Sequence, residues 1–369
     1  MPLPVLMRPD GFYIVPDEVV FVRRALDGGF CVQLALGKEI KADSVVLALG
    51  NPPPHPPGVA DTAVLASPHY IGDPWSCGLS AINPKDGPVL ILGSGLTMVD
   101  VVVALVRSGH RGPVVALSRR GLLPRRHAEA TFGQTLPDPP ELSSRIASDL
   151  LAVRHWIHDQ SRKGGDWRDA IDALRPITAT YWRSLPLADR GRFLRHLRPW
   201  WDVHRHRLAP QVAEELDSLL ASGMLKVVQG RLRSLSLTND PDLPVSVTWT
   251  PRATHAQDSF FVSTVINCMG PGSNLRLSPH MLIRQMVAEQ LVRPDALGLG
   301  LAVDDSGRAL TPYGEVESKL FALGPITRGT FWEVTAIPDI RVKAAKVAEA
   351  VLLALRSNVS LKRFGDAAA

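Results

Sequence analysis

The sequence is poor in cysteine: Cys31, Cys77 and Cys268 stand far apart, with no CxxC pair and no Cys/His spacing of a metal centre. That scarcity excludes a disulfide-stapled fold and disfavours a reductase that passes electrons to a redox-active cysteine pair. The three thiols read as reduced, packed side chains of a cytoplasmic protein. No apolar run approaches the ~20 residues needed to cross a bilayer, so no membrane partner is expected. The opening stretch, MPLPVLMRPDG, lacks the charged region and long apolar core of a signal peptide. The net charge of +5 is small for 369 residues and is not gathered into one run, which argues against nucleic acid as the partner. There is no Ser/His/Asp nucleophile signature and no metal-ligand spacing, which leaves room for chemistry carried by a bound cofactor. A hydrophobic content of 45% over this length is enough for two domains and a sizeable core.

What is present is organised around Pro88–Arg120, PVLILGSGLTMVDVVVALVRSGHRGPVVALSRR. A short apolar run, Val89–Leu92, has the length of a buried strand. A glycine turn follows at Gly93, Ser94 and Gly95, and an amphipathic stretch then runs through Leu96 and Thr97 to about Ser108. A second apolar run, Val114–Leu117, completes a βαβ unit and implies an α/β sheet. Gly93 permits the sharp turn, and Gly95 lets backbone amides approach a diphosphate at a positive helix N-terminus. The usual third glycine is replaced by Thr97-Met98, and Asp100 falls at the eighth position, giving GxGxxxxD, the form of the pyridine-nucleotide domain in two-domain flavoproteins. Asp100 reads either as a ligand contact or as a charge that steadies the helix N-terminus. The second strand ends in Ser118-Arg119-Arg120, a hydroxyl and two guanidiniums where a free ribose would call for a carboxylate. This selects NADPH over NADH.

Before this unit, Val19–Arg23 and Phe30–Leu36 read as strands around an Asp27-Gly28-Gly29 hairpin, and Ala42–Gly50 as a buried strand leading to Asn51 and three prolines. After it, Glu141–Arg162, a helix capped by Asp166, and further pieces through Ala209–Ala221 suggest a helical insertion. Its tryptophans read as a small core of their own, and His204 and His206, at i and i+2, as surface or network residues. Strands return within Leu225–Leu237, at Val245–Thr250 and over Val262–Gly270. A final helix starts near Pro338 and runs to about Leu355. The order strand, turn, strand, then an apolar run ending in Gly-x-Pro occurs before Pro52 and again before Pro271. Two nucleotide-binding domains are therefore expected: 1–84 as part of a first, 85–122 and 224–272 as a second, 123–223 as the insertion, and 273–369 as a return to the first. Only 49 residues precede Gly50, with no glycine turn among them, so the first domain is read as lacking its leading βαβ.

The stretches ADSVVLALGNPPP, GSGLTMVD, SRRGLLPRRH, FLRHLRPWWDVHRHR, VINCMGP and GPITRGTFWEVTAIPDIR together resemble a bacterial family of FAD/NAD(P)-binding proteins. Its characterised members are similar to flavin-dependent urate hydroxylases and aspartate N-monooxygenases. The resemblance implies a flavin monooxygenase of a small polar molecule, with NADPH reducing FAD and reduced flavin activating oxygen. It departs from the family pattern at the start, where a GxGxxG flavin-binding unit is expected. Cofactor contacts are then expected from Gly93, Ser94, Gly95, Leu96, Thr97, Asp100, Ser118, Arg119 and Arg120, with Gly50, Asn51, Gly270, Gly324, Arg328, Thr330 and Glu333 at the borders of the cleft. The last three would line the flavin or simply fix their turn. A rival reading is a nucleotide- or partner-binding remnant without turnover.

Overall fold

The computed structural model describes residues 6–7, 11–76, 87–128 and 136–365. Cys77 lies outside them. The chain divides into two compact units, one built from the residues up to Pro52 with those from Gly272 onward, the other from Pro53–Pro271. No helix among the described residues is long and apolar enough to cross a membrane.

In the first unit, β1 (Leu6–Met7) pairs antiparallel with β2 (Tyr13–Ile14). The expected hairpin is present as β3 (Val19–Arg24) and β4 (Phe30–Leu34), and β5 (Glu39–Ala42) extends it to a meander. The single buried strand expected over Ala42–Gly50 is corrected. Ala42 closes β5, and only Val45–Leu47 forms β6. Asp43-Ser44 breaks the run, with Ser44 Oγ donating to the Lys319 carbonyl (2.8 Å). β6 pairs in parallel with Leu320–Ala322 on one side and, among the described residues, with no strand on the other. Val46 and Leu49 are consequently 42% and 39% exposed.

The second unit opens with α1 (Thr62–Leu65) and β7 (Tyr70–Ile71), followed by the βαβ core read from the sequence: β8 (Val89–Leu92), α2 (Leu96–Arg107) and β9 (Val114–Ser118). Every residue of β8 is buried, because the strand is central and covered on both faces. The helix expected from Glu141 begins only at α3 (Ile146–Arg162). Ser144 turns at φ 62°, and the Asp149 carboxylate draws the preceding chain back by accepting from Ser143 N (2.8 Å), Ser143 Oγ (2.7 Å), Arg145 N (2.9 Å) and Tyr181 OH (2.8 Å). Burial pushes the Asp149 pKa up, but these donors together more than offset it and hold the carboxyl below its usual range.

Four further helical pieces follow: α4 (Trp167–Ala173, capped by Asp166), α5 (Arg175–Ser184), α6 (Leu187–Arg192) and α7 (Arg198–Arg205), with a π turn at Phe193–Leu197 between the last two. Of their tryptophans only Trp182 is buried, Trp167 and Trp201 are half-buried, and Trp200 is exposed. Trp182 is 2% exposed and meets Phe193 edge-on, while Trp167 meets His204 edge-on and lies under the guanidiniums of Arg168 (4.6 Å) and Arg207 (6.0 Å). The helix expected over Ala209–Ala221 is α8 (Pro210–Ala221), but it packs elsewhere. Its Ala213, Leu216 and Leu219 pack with α2 on the sheet. α8 is thus the crossover helix joining two parallel strands, and the insertion proper is α3–α7.

β10 (Leu225–Leu237) pairs in parallel with β9 and then bends away to pair antiparallel with β11 (Val245–Pro251), itself paired with β12 (Asp258–Val262). The run expected over Val262–Gly270 is split at Ser263, whose N and Oγ both donate to the Pro88 carbonyl (2.9 Å each). Only Thr264–Asn267, β13, enters the parallel layer. The sheet order is β12-β11-β10-β9-β8-β13-β7.

Returning to the first unit, α9 (Met281–Ala288) was not legible in the sequence. Its buried Gln285 accepts from Val22 N (3.1 Å) and donates to Val22 O (3.0 Å), satisfying the edge of β3. β14 (Arg308–Leu310) and β15 (Val316–Ala322) follow, and α10 (Ile337–Gly365) starts where Pro338 marks its first turn and outruns the expected end at Leu355. Phe30, Leu47, Met286, Leu301 and Leu320 centre this unit's core.

Candidate dinucleotide site

The site begins at the carboxyl end of β8. Gly93 has φ 108°, its N donates to the Leu117 carbonyl (2.9 Å), and a Cβ on it would stand 2.4 Å from the Cys268 carbonyl oxygen. Glycine is required there by the neighbouring strand itself. Gly95 is different. It is extended (φ −87°, ψ −166°), forms the N-cap of α2 without a side-chain cap, and a Cβ on it would meet nothing within 4 Å. The amides of Leu96, Thr97 and Met98 have no partners within the helix by its geometry, so the turn presents donors and the positive end of α2 to open space. A helix N-terminus of this kind has the chemistry of an anion site, with open space where a Cβ on Gly95 would stand.

Ser94 and Ser118, both expected at the site, have their hydroxyls engaged within the protein. Ser94 is 8% exposed, and its Oγ lies 2.7 Å from the Leu122 carbonyl and 2.8 Å from Ser118 Oγ; Ser118 Oγ in turn accepts from Gly121 N (2.9 Å). The two hydroxyls tie the glycine turn to the loop after β9. Arg119 is exposed, while Arg120 Nη2 donates to the Arg195 carbonyl (3.4 Å). Thr97 is half-buried and Leu96 is 38% exposed, whereas Met98, at the place of the third glycine, is fully buried against the sheet. Asp100 lies beyond the first turn of α2, which contains no acid, so it does not cap the helix. Desolvation raises its carboxyl, and burial together with Asp100 pushes the Cys268 thiol up to about 12. Cys268 is therefore expected to resist iodoacetamide at pH 8 until denaturant is added. Peptide mapping that finds it alkylated in the native protein would contradict the burial.

Residues remote in sequence complete the surroundings. Gln229 sits opposite Ser118 in register, and a Cβ on Gly121 (φ 60°) would be 2.4 Å from its Cγ. Gln229, Trp249 and Arg252 line a cavity of about 570 Å³ beside β10, with Arg252 N donating to Gln229 O (3.0 Å). No local pattern marks these residues, because the insertion separates them from the glycine turn. Beside Gly93, the fully buried Asn267 at the end of β13 donates to the His55 carbonyl (2.9 Å) and to Tyr70 OH (3.1 Å), fixing the entering chain. Gly270 follows with φ 84°.

The remaining expected residues belong to the first unit. Gly50 (φ 68°) and Gly324 (φ 83°) turn the chain beyond the adjacent parallel strands β6 and β15, and a Cβ on either would meet nothing within 4 Å; Asn51 is exposed. Thr330 Oγ1 donates to the Val303 carbonyl (3.1 Å), Arg328 stands 5.8 Å from the Trp332 ring, and Glu333 is 8% exposed at φ 69°. These contacts hold the turn that precedes α10.

Together the two units define an α/β fold of the flavoprotein type with two dinucleotide-binding domains, carrying a helical insertion in the second. Solved structures with this fold include an L-lysine 6-monooxygenase from Pseudomonas syringae (18% identity, TM-score 0.60, covering 92% of this chain and 71% of that one). An ornithine N-hydroxylase from Kutzneria sp. 744 is similar at 14% identity and TM-score 0.59, covering 91% and 71%. An ornithine hydroxylase from Pseudomonas aeruginosa is similar at 13% identity and TM-score 0.58, covering 92% and 71%. No protein-family model and no curated protein matches the sequence.

Proposed function

We propose that the second unit binds NADPH and that the chain works as an FAD- and NADPH-dependent oxidoreductase, a flavin monooxygenase that hydroxylates a small polar molecule. The open space at Gly95, the N-cap of α2 with no side-chain cap and one strand away from the Arg119–Arg120 loop, is the observation that carries this reading. The amides would hold the diphosphate, and a guanidinium would face the 2′-phosphate. Gly50 and Gly324, turning beyond β6 and β15, offer the first unit's approach for FAD. A flavin held there would supply hydride-accepting and oxygen-activating chemistry, and the residues named here would bind and orient the cofactors. The similar structures act, by their descriptions, on lysine and ornithine, which supports a small amine as substrate. A urate- or aspartate-type substrate is the narrower alternative implied by the sequence resemblance.

Arg119→Ala with Arg120→Ala is expected to reduce the preference for NADP⁺ over NAD⁺ by about 100-fold, each charge-assisted contact contributing ~1.5–3 kcal/mol. An unchanged ratio by calorimetry would remove the NADPH assignment. The second reading, nucleotide binding without turnover, is favoured by the unpaired edge of β6 among the described residues. NADPH binding with neither flavin uptake nor oxygen consumption would select it.

A further inference from the structure

The loop that carries the two arginines is clasped by the insertion. After Arg120 the chain lies along the end of α7 and the segment that follows it: Arg125 N donates to Val203 O (2.9 Å), Leu208 N to Arg125 O (2.8 Å) and His127 N to Leu208 O (2.8 Å). Arg168 Nε donates to the Arg126 carbonyl (2.9 Å). On its other side the loop is held to the glycine turn through Ser94, Ser118 and Gly121. Between these anchors Arg120 reaches the carbonyl of Arg195, inside the π turn. A π turn breaks the regular carbonyl ladder of the surrounding helix and is commonly found at functional positions.

We infer that the helical insertion is a specificity-determining part of the dinucleotide site: the Arg195 carbonyl positions Arg120 for the 2′-phosphate, and the same guanidinium transmits phosphate occupancy to the insertion. This rests on the NADPH reading. A guanidinium has five N–H donors in a planar fork, so one edge can stay on the carbonyl while another faces a phosphate. The tether also removes rotamer freedom before binding, which reduces the ordering cost on association. Lysine carries the charge, but its three donors sit on one nitrogen, so it lacks the planar two-nitrogen fork that spans carbonyl and phosphate. Arg120 is thus a positioning and coupling residue, and exposed Arg119 is the simpler contact.

Hydrogen exchange on the full chain, with saturating 2′,5′-ADP or 5′-ADP, tests this. Amides of residues 193–208 should exchange about threefold or more slowly with 2′,5′-ADP and remain unchanged with 5′-ADP. Arg120→Lys should bind 2′,5′-ADP within about fivefold of the parent yet lose the protection, because charge survives and the bridge does not. Arg119→Ala should weaken binding but keep the protection once saturated. Preference for 2′,5′-ADP without protection in the parent protein, or full protection in Arg120→Lys, overturns the inference and leaves NADPH binding standing. No preference for 2′,5′-ADP over 5′-ADP overturns both.

Discussion

Gly95→Ala is expected to fold and melt like the parent protein while losing about 100-fold or more in NADPH affinity. Two opposed stability terms nearly cancel at this position. Alanine is a poorer N-cap than glycine by several tenths of a kcal/mol, but it restricts the unfolded chain by ~0.4–1 kcal/mol. The native backbone is extended rather than left-handed, and the added methyl touches nothing. Its effect is expected only when a diphosphate approaches, because the methyl takes up space at the turn that the proposed site leaves for the phosphate oxygens. Loss of one or two charge-assisted hydrogen bonds, ~1.5–3 kcal/mol each, corresponds to that change in affinity. Gly93→Ala supplies the contrast. It combines φ 108° with a 2.4 Å encounter with the Cys268 carbonyl, so stability should fall by more than ~4 kcal/mol. Thermal melts paired with NADPH titrations distinguish the cases. Equal melting loss in both variants, or undiminished binding in Gly95→Ala, would mean that the open space is no ligand cradle.

Asp172→Ala should be the most damaging change within the insertion. Arg207 is 3% exposed at its side chain and donates twice to Asp172, at 2.5 and 2.7 Å, while its Nε has no hydrogen-bond partner among the described residues. Removing the carboxylate leaves a buried guanidinium without its counter-charge, at a cost of ~3–5 kcal/mol. Asp172 is 31% exposed, and water entering its place favours the lower end. A loss near 3 kcal/mol in a unit of this size lowers the melting temperature by about 6–12 °C. Replacing both residues with leucine should recover most of the loss, because a buried ion pair is often matched by well-packed apolar residues. A single variant that melts within ~2 °C of the parent would show that the pair contributes little.

How far the sequence discloses the molecule depends on whether a residue's partners are close along the chain. The βαβ unit at Val89–Ser118 was legible because strand, glycine turn and helix follow one another directly. The meander was legible in part. Glu39–Ala42 alternates over only four residues, too short a run to announce β5, and β6 was hidden within an apolar run longer than the strand it forms. α9 escaped because its placement depends on the clasp between Gln285 and Val22. At the site, the spacing of the glycines after β8 and the place of the arginine pair at the end of β9 brought Gly93, Gly95, Arg119 and Arg120 to attention. The roles of the two serines were not readable, since a hydroxyl facing Leu122 or Gly121 looks the same in sequence as one facing a phosphate. Gln229, Arg252 and the Arg195 carbonyl were invisible for a simpler reason: the insertion lies between them and the loop after β9, or contains them.

The location of the insertion, in the crossover between β9 and β10, bears on kinetics. Ser118 and Leu225 are not neighbours until everything between them has been spanned. At equilibrium the penalty is slight, since doubling the length of a closed loop costs only ~0.6 kcal/mol. The rate is more sensitive, because a parallel pair joined through so long an excursion must await a rare encounter of distant segments. The seven-stranded sheet should therefore be among the last parts of its unit to consolidate after dilution from denaturant, behind the locally connected helices that interrupt it.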